Sequence, residues 1–260
     1  MCLIAVALDP NPAYRLVVLA NRDEYLDRPA RPLQPWTEPV GVVAGVDAGA
    51  DRPGTWLAWH PAGRWAAVTN VREPHRPDRG RLSRGRLPLL GVSGPPPQDV
   101  VAALAADNAL DPSTYGGYNL LCGDGHSAWW VSNRATDPIA LPRGLHGLSN
   151  AALDTPWPKV RALRGALAAL VQADPDGTAP TDAWFAPLLD RTCAADPDLP
   201  ATGVPLPVER ALSAAFVALP GYGTRSSTVL RWWRDGRWRI DEWTHTATSR
   251  DRVWRAGVVQ

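Results

Sequence analysis

Residues 1–24 read MCLIAVALDPNPAYRLVVLANRDE, in which a cysteine directly follows the initiator methionine and two apolar runs, Leu3 to Leu8 and Leu16 to Ala20, flank Asp9-Pro10-Asn11-Pro12. Runs of Val, Leu and Ile without polar alternation, bounded by turn residues, predict a β-hairpin whose strands are buried on both faces. The second strand returns Asn21, Arg22, Asp23 and Glu24 to the beginning of the chain. A thiol and an ionic cluster are thereby brought together.

Removal of Met1, which a side chain as small as cysteine permits, would leave Cys2 with a free α-amine beside its own thiol. An α-amine titrates at roughly 7.7–8.0 and can take the thiol proton directly or through one water, so one residue would hold both nucleophile and base. The alternative is a small buried hydrophobe, because free cysteine is among the most buried residue types.

Composition narrows the field of functions. A 260-residue chain with 45% hydrophobic content can bury a large core, and one domain over 1–260 is expected. A net charge of +1 lacks the strongly basic balance that nucleic acid or an anionic membrane surface would call for. The basic residues are almost all arginine, Lys159 being the only lysine. The first apolar run has no basic flank and stops at Asp9, and no later stretch approaches a membrane span, so a cytoplasmic chain is expected. Cys2, Cys122 and Cys193 show neither metal-ligand spacing nor a disulfide framework. With no P-loop, dinucleotide GxGxxG, HExxH or paired CxxC, neither a metal nor a required cofactor is expected.

Along the chain, the prolines from Arg28 to Pro39 predict an extended, irregular wrap. Val40 to Gly45 reads as a strand, and Thr55 to His60 pairs with Arg64 to Asn70 across Pro61-Ala62-Gly63, leaving Asn70 at a strand end. Arg72 to Arg86 carries six arginines, which suit a carboxylate, phosphate or haem propionate at a pocket mouth, or form a solvated loop. Asp99 opens a helix burying Val100, Val101 and Leu104. Tyr118 to Cys122 and Ser127 to Asn133 bracket a Gly123-Asp124-Gly125 turn. Gly147 to Asn150 ends a strand, Thr155 caps a helix with Pro156 at its first position, and Val160, Leu163, Leu167 and Val171 form its apolar stripe. A short helix is expected near Asp182 to Ala194, then closing strands at Phe216 to Leu219, Ser226 to Trp233 and Trp238 to Trp243. Thirteen tryptophans against two phenylalanines would line a pocket for a flat or greasy ligand, or simply fill the core.

MCLI followed by ANRDE resembles the signature of the NRDE family, which includes the transport and Golgi organisation protein 2 homologues. AGVDAGADRPGTWLAWHPAGRWAAVTNVRE, SRGRL, YGGYNLLCGDG, WWVSNR, GLHGLSNAALDTPWPKV and YGTRSSTVL follow the family pattern in order, so the resemblance covers nearly the whole chain. It implies a fold similar to N-terminal nucleophile hydrolases of the choloylglycine hydrolase and penicillin V acylase kind: an α+β, four-layer αββα sandwich of antiparallel sheets with the nucleophile opening a central strand. By the same resemblance Cys2 is the nucleophile, served by Arg22, Asp23, Asn70, Asn150 and Arg225. Asp23 would hold the α-amine, Arg22 and Arg225 would depress the thiol pKa, and the two asparagines would donate to an oxyanion. Arg22 and Asp23 are adjacent where the acylase pair stands three apart, and adjacent strand residues point oppositely, so Asn21 with Glu24 is the alternative pair. Arg72, Arg84 and Asn119 are further candidate ligand contacts.

Two functions are consistent with this site. One is an N-terminal cysteine hydrolase or acyltransferase acting on a non-peptide amide or thioester. The other is a non-catalytic carrier using the same cleft for haem, fatty acyl-CoA or lipid, in line with the haem-trafficking and lipid-handling roles the resemblance implies. A buried ion-pair network that only pins the hairpin is the bland reading.

Overall fold

The computed structural model describes residues 2–75, 80–111 and 113–246, together with the backbone of 250–258. The elements in order are β1 (Cys2–Leu8), β2 (Tyr14–Tyr25), β3 (Ala30–Pro35), β4 (Val43–Asp47), β5 (Leu57–His60), β6 (Arg64–Asn70), α1 (Leu87–Ser93), α2 (Pro97–Leu110), β7 (Tyr118–Gly123), β8 (Ala128–Ser132) and β9 (Ile139–Ala140). They continue as β10 (Gly144–Leu148), α3 (Pro158–Ala173), α4 (Thr181–Phe185), α5 (Leu206–Ala211), β11 (Ala218–Leu219), β12 (Tyr222–Trp233), β13 (Arg237–His245) and β14 (Arg250–Val258). Backbone contacts group them into two compact units, residues 1–27, 73–75 and 143–260 in the first and 28–72 and 76–142 in the second.

The first unit is an antiparallel sheet in the order β10-β1-β2-β12-β13-β14, with β11 paired to β12. Strand residues alternate between faces, and on one face Leu3, Ala5, Val17, Leu19 and Val229 pack against Val160, Leu163, Leu167 and Val171 of α3 and against Trp184, Phe185 and Leu188. The opposite face carries Ile4, Val6, Leu16, Val18 and Leu230, which are equally buried. This two-sided burial is why the hairpin reads as unbroken apolar runs. Leu163 and Leu167, at 1% and 0% exposure, each stabilise the unit by about 1.5–3 kcal/mol. Gly147 lets α3 approach, since a Cβ there would lie 2.6 Å from Val160 Cγ1.

Helix α3 begins two residues later than the sequence suggested. The residue before a proline avoids the α conformation, so Pro158 holds Trp157 extended (φ −60°, ψ 147°) and itself becomes the first helical residue. Thr155 Oγ1 instead donates to the Ala152 carbonyl.

The second unit is an antiparallel meander, β3 through β9 in chain order. Its core sets Ala58, Ala66, Leu120, Cys122 and Val131 of the sheet against Leu87, Val92, Val100, Val101 and Leu104 of α1 and α2. The proline-rich stretch expected to be irregular contains β3, which pairs with β4 at the sheet edge with a register shift between Arg31 and Gln34. Proline is tolerated there because an edge strand does not need every N–H. Residues 76–79 of the arginine-rich segment lie outside the described residues; its end forms a 3-10 turn, Arg84–Arg86, leading into α1. Both sheets thus carry a helical layer on one face, giving a mixed α/β protein built on antiparallel sheets.

Candidate active site

Register fixes which side chains share a face with the thiol. Cys2 stands directly opposite Arg22 across β1 and β2. Arg22 in turn opposes Ser226 of β12, and Ser226 opposes Thr244 of β13. On the other side β1 pairs with β10, Ile4 opposite Leu148, where the strand ends and the chain bends through Ser149 and Asn150. Cys2, Arg22, Ser226 and Thr244 therefore form one row across four strands, on the face away from α3. Ser149 ties the row's end together, its Oγ lying 2.9 Å from the Cys2 carbonyl and 3.1 Å from Asn150 Oδ1.

The neighbouring residues of the NRDE segment turn the other way. Asn21 Nδ2 donates to the carbonyls of Leu188 (2.7 Å) and Ala215 (2.9 Å), and its Oδ1 accepts from Ser227 Oγ at 2.7 Å. Ser227 Oγ is also 2.9 Å from His245 Nε2. Asp23 sends its carboxylate to the same helical side, where Oδ1 accepts from Thr224 Oγ1 at 2.7 Å and Oδ2 lies 4.0 Å from Nζ of the buried Lys159 on α3. Its backbone N–H, however, favours the Cys2 thiolate. Glu24 is half-buried and its Oε1 accepts from the Tyr25 N–H.

Cys2 keeps partial exposure, yet burial is the largest influence on its thiol and pushes the pKa up. The Asp23 carboxylate raises it further, while the Arg22 guanidinium and the Asp23 N–H pull it down by favouring the thiolate. Arg225 is the extra residue of a bulge between Thr224 and Ser226, and its Nη1 donates to the Tyr25 carbonyl at 2.8 Å. The bulge aims Arg225 out of the alternation that governs its neighbours.

The remaining candidates belong to the second unit. Asn70 ends β6, its Nδ2 3.5 Å from the Val71 carbonyl, and Arg72 follows it half-buried. Arg84 Nη1 donates to the Gly117 carbonyl at 3.0 Å. Asn119 is wholly buried in β7, donating to Thr69 Oγ1 (3.2 Å) and accepting from Trp130 Nε1 (3.3 Å), an arrangement that occupies both ends of its amide. The tryptophans divide: Trp59, Trp65 and Trp184 are fully buried core, whereas Trp233 and Trp238 line a cleft of about 580 Å³ with Arg231, Arg237, Arg239 and residues 177–181. That cleft contains none of the residues singled out from sequence.

Sequence reasoning missed three residues at the thiol's end of the sheet: Ser149, Ser226 and Lys159. Lys159 had a signal, as the only lysine in the chain. Ser226 follows from alternation counted back from Val229, which puts it on the face opposite the helical core, once that core face is known.

A cysteine opening an interior strand of an antiparallel sheet covered by helices defines the N-terminal nucleophile hydrolase class of fold. The solved structure of the mutant C2A conjugated bile acid hydrolase from Clostridium perfringens shares this fold, with a TM-score of 0.51 at 7% identity, covering 99% of this chain and 96% of that one. The sequence profile of the family Transport and Golgi organisation 2 matches residues 1–247. The chain is 35% identical to the Transport and Golgi organization protein 2 homolog of Bos taurus and 32% identical to that of Homo sapiens, in each case over 248 residues and 88% of both chains. It belongs to the Transport and Golgi organisation 2 family. Among the described residues, no helix is long and apolar enough to cross a membrane.

Proposed function

We propose that the protein is an N-terminal cysteine hydrolase or acyltransferase acting on a non-peptide amide or thioester through Cys2. The observation that supports this is the pairing at the thiol: Cys2 stands opposite Arg22, and Ser149 Oγ contacts both the Cys2 carbonyl and Asn150 Oδ1. In the forward step the Cys2 sulfur attacks the acyl carbon while the thiol proton passes to the α-amine freed by loss of Met1. The Asn150 amide donates to the developing oxyanion, and the acyl group moves to sulfur as the amine or thiol leaves carrying a proton. Water or a second acceptor then takes the acyl group and restores the thiol. Arg22 favours the thiolate against the burial that opposes it. Asp23, whose charge acts on the Cys2 thiol, would steady the amine.

A carrier of haem or of an acyl group in the same cleft is the second reading. What supports it is burial, which pushes the Cys2 thiol pKa up, as suits a wall residue. Cys2→Ala separates the two. It should abolish turnover of an amide and thioester panel, a loss of at least about a thousandfold, while binding of haem and acyl-CoA is unchanged. Turnover by Cys2→Ala as fast as the parent would sink the hydrolase. Arg225→Ala, assayed alongside, should weaken binding of an anionic ligand by about 1.5–3 kcal/mol if that guanidinium anchors one.

A further inference from the structure

Next to the thiol lies a polar strip that the chemistry above does not use. Ser226 is 4% exposed, yet its Oγ has no hydrogen-bond partner among the described residues. Thr244 Oγ1, directly opposite it on β13, is in the same condition. Buried hydroxyls normally find partners, and leaving one unmade costs about 1–3 kcal/mol. The contrast with Ser227, one residue on, is direct: that hydroxyl contacts both Asn21 and His245. The two orphan hydroxyls continue the row that begins at Cys2 and Arg22, at successive strand spacings of about 4.8 Å. Ser226 therefore stands two strands from the nucleophile, with a guanidinium between them.

We infer that Arg22, Ser226 and Thr244 form an acceptor subsite for a carboxylate on the acyl portion of the substrate, so that the preferred acyl group is a short acid-bearing one rather than a plain alkyl chain. This rests on Cys2 being the reacting group. A guanidinium flanked by hydroxyl donors matches a carboxylate, whose two oxygens accept several hydrogen bonds at once. A plain fatty chain laid along the strip would leave the Ser226 and Thr244 hydroxyls unmade. Ser226 is then a specificity-determining residue. Its hydroxyl makes no hydrogen bond in the resting fold.

Covalent labelling tests this without any turnover. N-bromoacetyl-β-alanine carries a carboxylate and N-bromoacetyl-β-alaninamide is its neutral counterpart. With either reagent the Cys2 sulfur forms a C–S bond, bromide leaves with the bonding pair and the thiol proton goes to buffer. In a Cys193→Ser background, which removes the exposed thiol, peptide mass gives the labelling rate of Cys2. The acid should label Cys2 about tenfold faster than the amide, as one charge-assisted contact implies. Ser226→Ala should cut that preference severalfold while leaving the amide's rate unchanged and the unfolding midpoint no lower, since it removes a buried hydroxyl without a partner, and Ser226→Thr should restore it. Equal rates in the parent, an unaltered preference in Ser226→Ala, or failure of both reagents to reach Cys2 would each overturn the subsite. If the preference holds while no amide or thioester is turned over, the strip stands and the hydrolase falls.

Discussion

The two faces of the sheet around β1 and β2 are polar in opposite ways. On the helical face Asn21, Ser227, Asp23, Thr224 and Lys159 are knitted to one another and to the backbone of the layer above, with Asn21 alone engaging two carbonyls and a hydroxyl. On the other face Cys2, Arg22 and Ser226 stand in a row, and the Ser226 hydroxyl is unmatched among the described residues. Saturated groups hold a fold, whereas a donor with nothing to bind is placed for something that arrives later. The NRDE segment thus splits by alternation. Its odd-numbered members anchor the sheet to the helices, and Arg22 alone of the four opposes the thiol across the strand pair.

The largest effect that would break this division is on stability. Asn21→Leu keeps the γ-branched shape but strips partners from Ser227 and from the Leu188 and Ala215 carbonyls, and should destabilise the protein by about 3 kcal/mol. Urea unfolding measures it. A change below about 0.5 kcal/mol would mean that the helical face does not depend on this network.

A smaller effect concerns alkaline pH. In the second unit, burial pushes the Cys122 thiol and the Tyr118 hydroxyl up to about 12, against ordinary values of roughly 8.5 and 10 in an unfolded chain. Both groups are held neutral in the fold. Their contribution is therefore complete below about pH 8.5 and is lost as pH rises toward 12. The urea midpoint should fall between pH 8.5 and 11, and Cys122→Ala should flatten the first part of that fall. A midpoint independent of pH over this range would contradict the burial argument.

Much of the fold was legible because its signals are local. The first hairpin, the Gly123-Asp124-Gly125 turn and the α3 stripe each depend on a few neighbouring residues, and the structure places them where the pattern does. Helix α1 was not legible: seven residues containing Pro88 and Gly91 look like loop, and only the packed structure shows that Gly91 lets the helix sit on β6, where a Cβ would come 2.6 Å from that of Ala66. The site was half legible. Motif identity pointed to Cys2, Arg22, Asp23, Asn150 and Arg225, but which of them face one another depends on register, and the bulge at Arg225 resets alternation between Thr224 and Ser226 without a sequence mark. Ser226 and Ser227 are adjacent and face opposite ways, and only the packed layers decide that one hydroxyl is saturated and the other is not.

The central claim, that Cys2 works as an N-terminal nucleophile, is tested most directly by the intact mass of the protein purified from its own cells after incubation with an acyl thioester. The account predicts a species lighter by one methionine, with an acyl adduct that maps to Cys2 and disappears in Cys2→Ala. A protein that retains Met1 throughout, with no processed species and no adduct at residue 2, would contradict it.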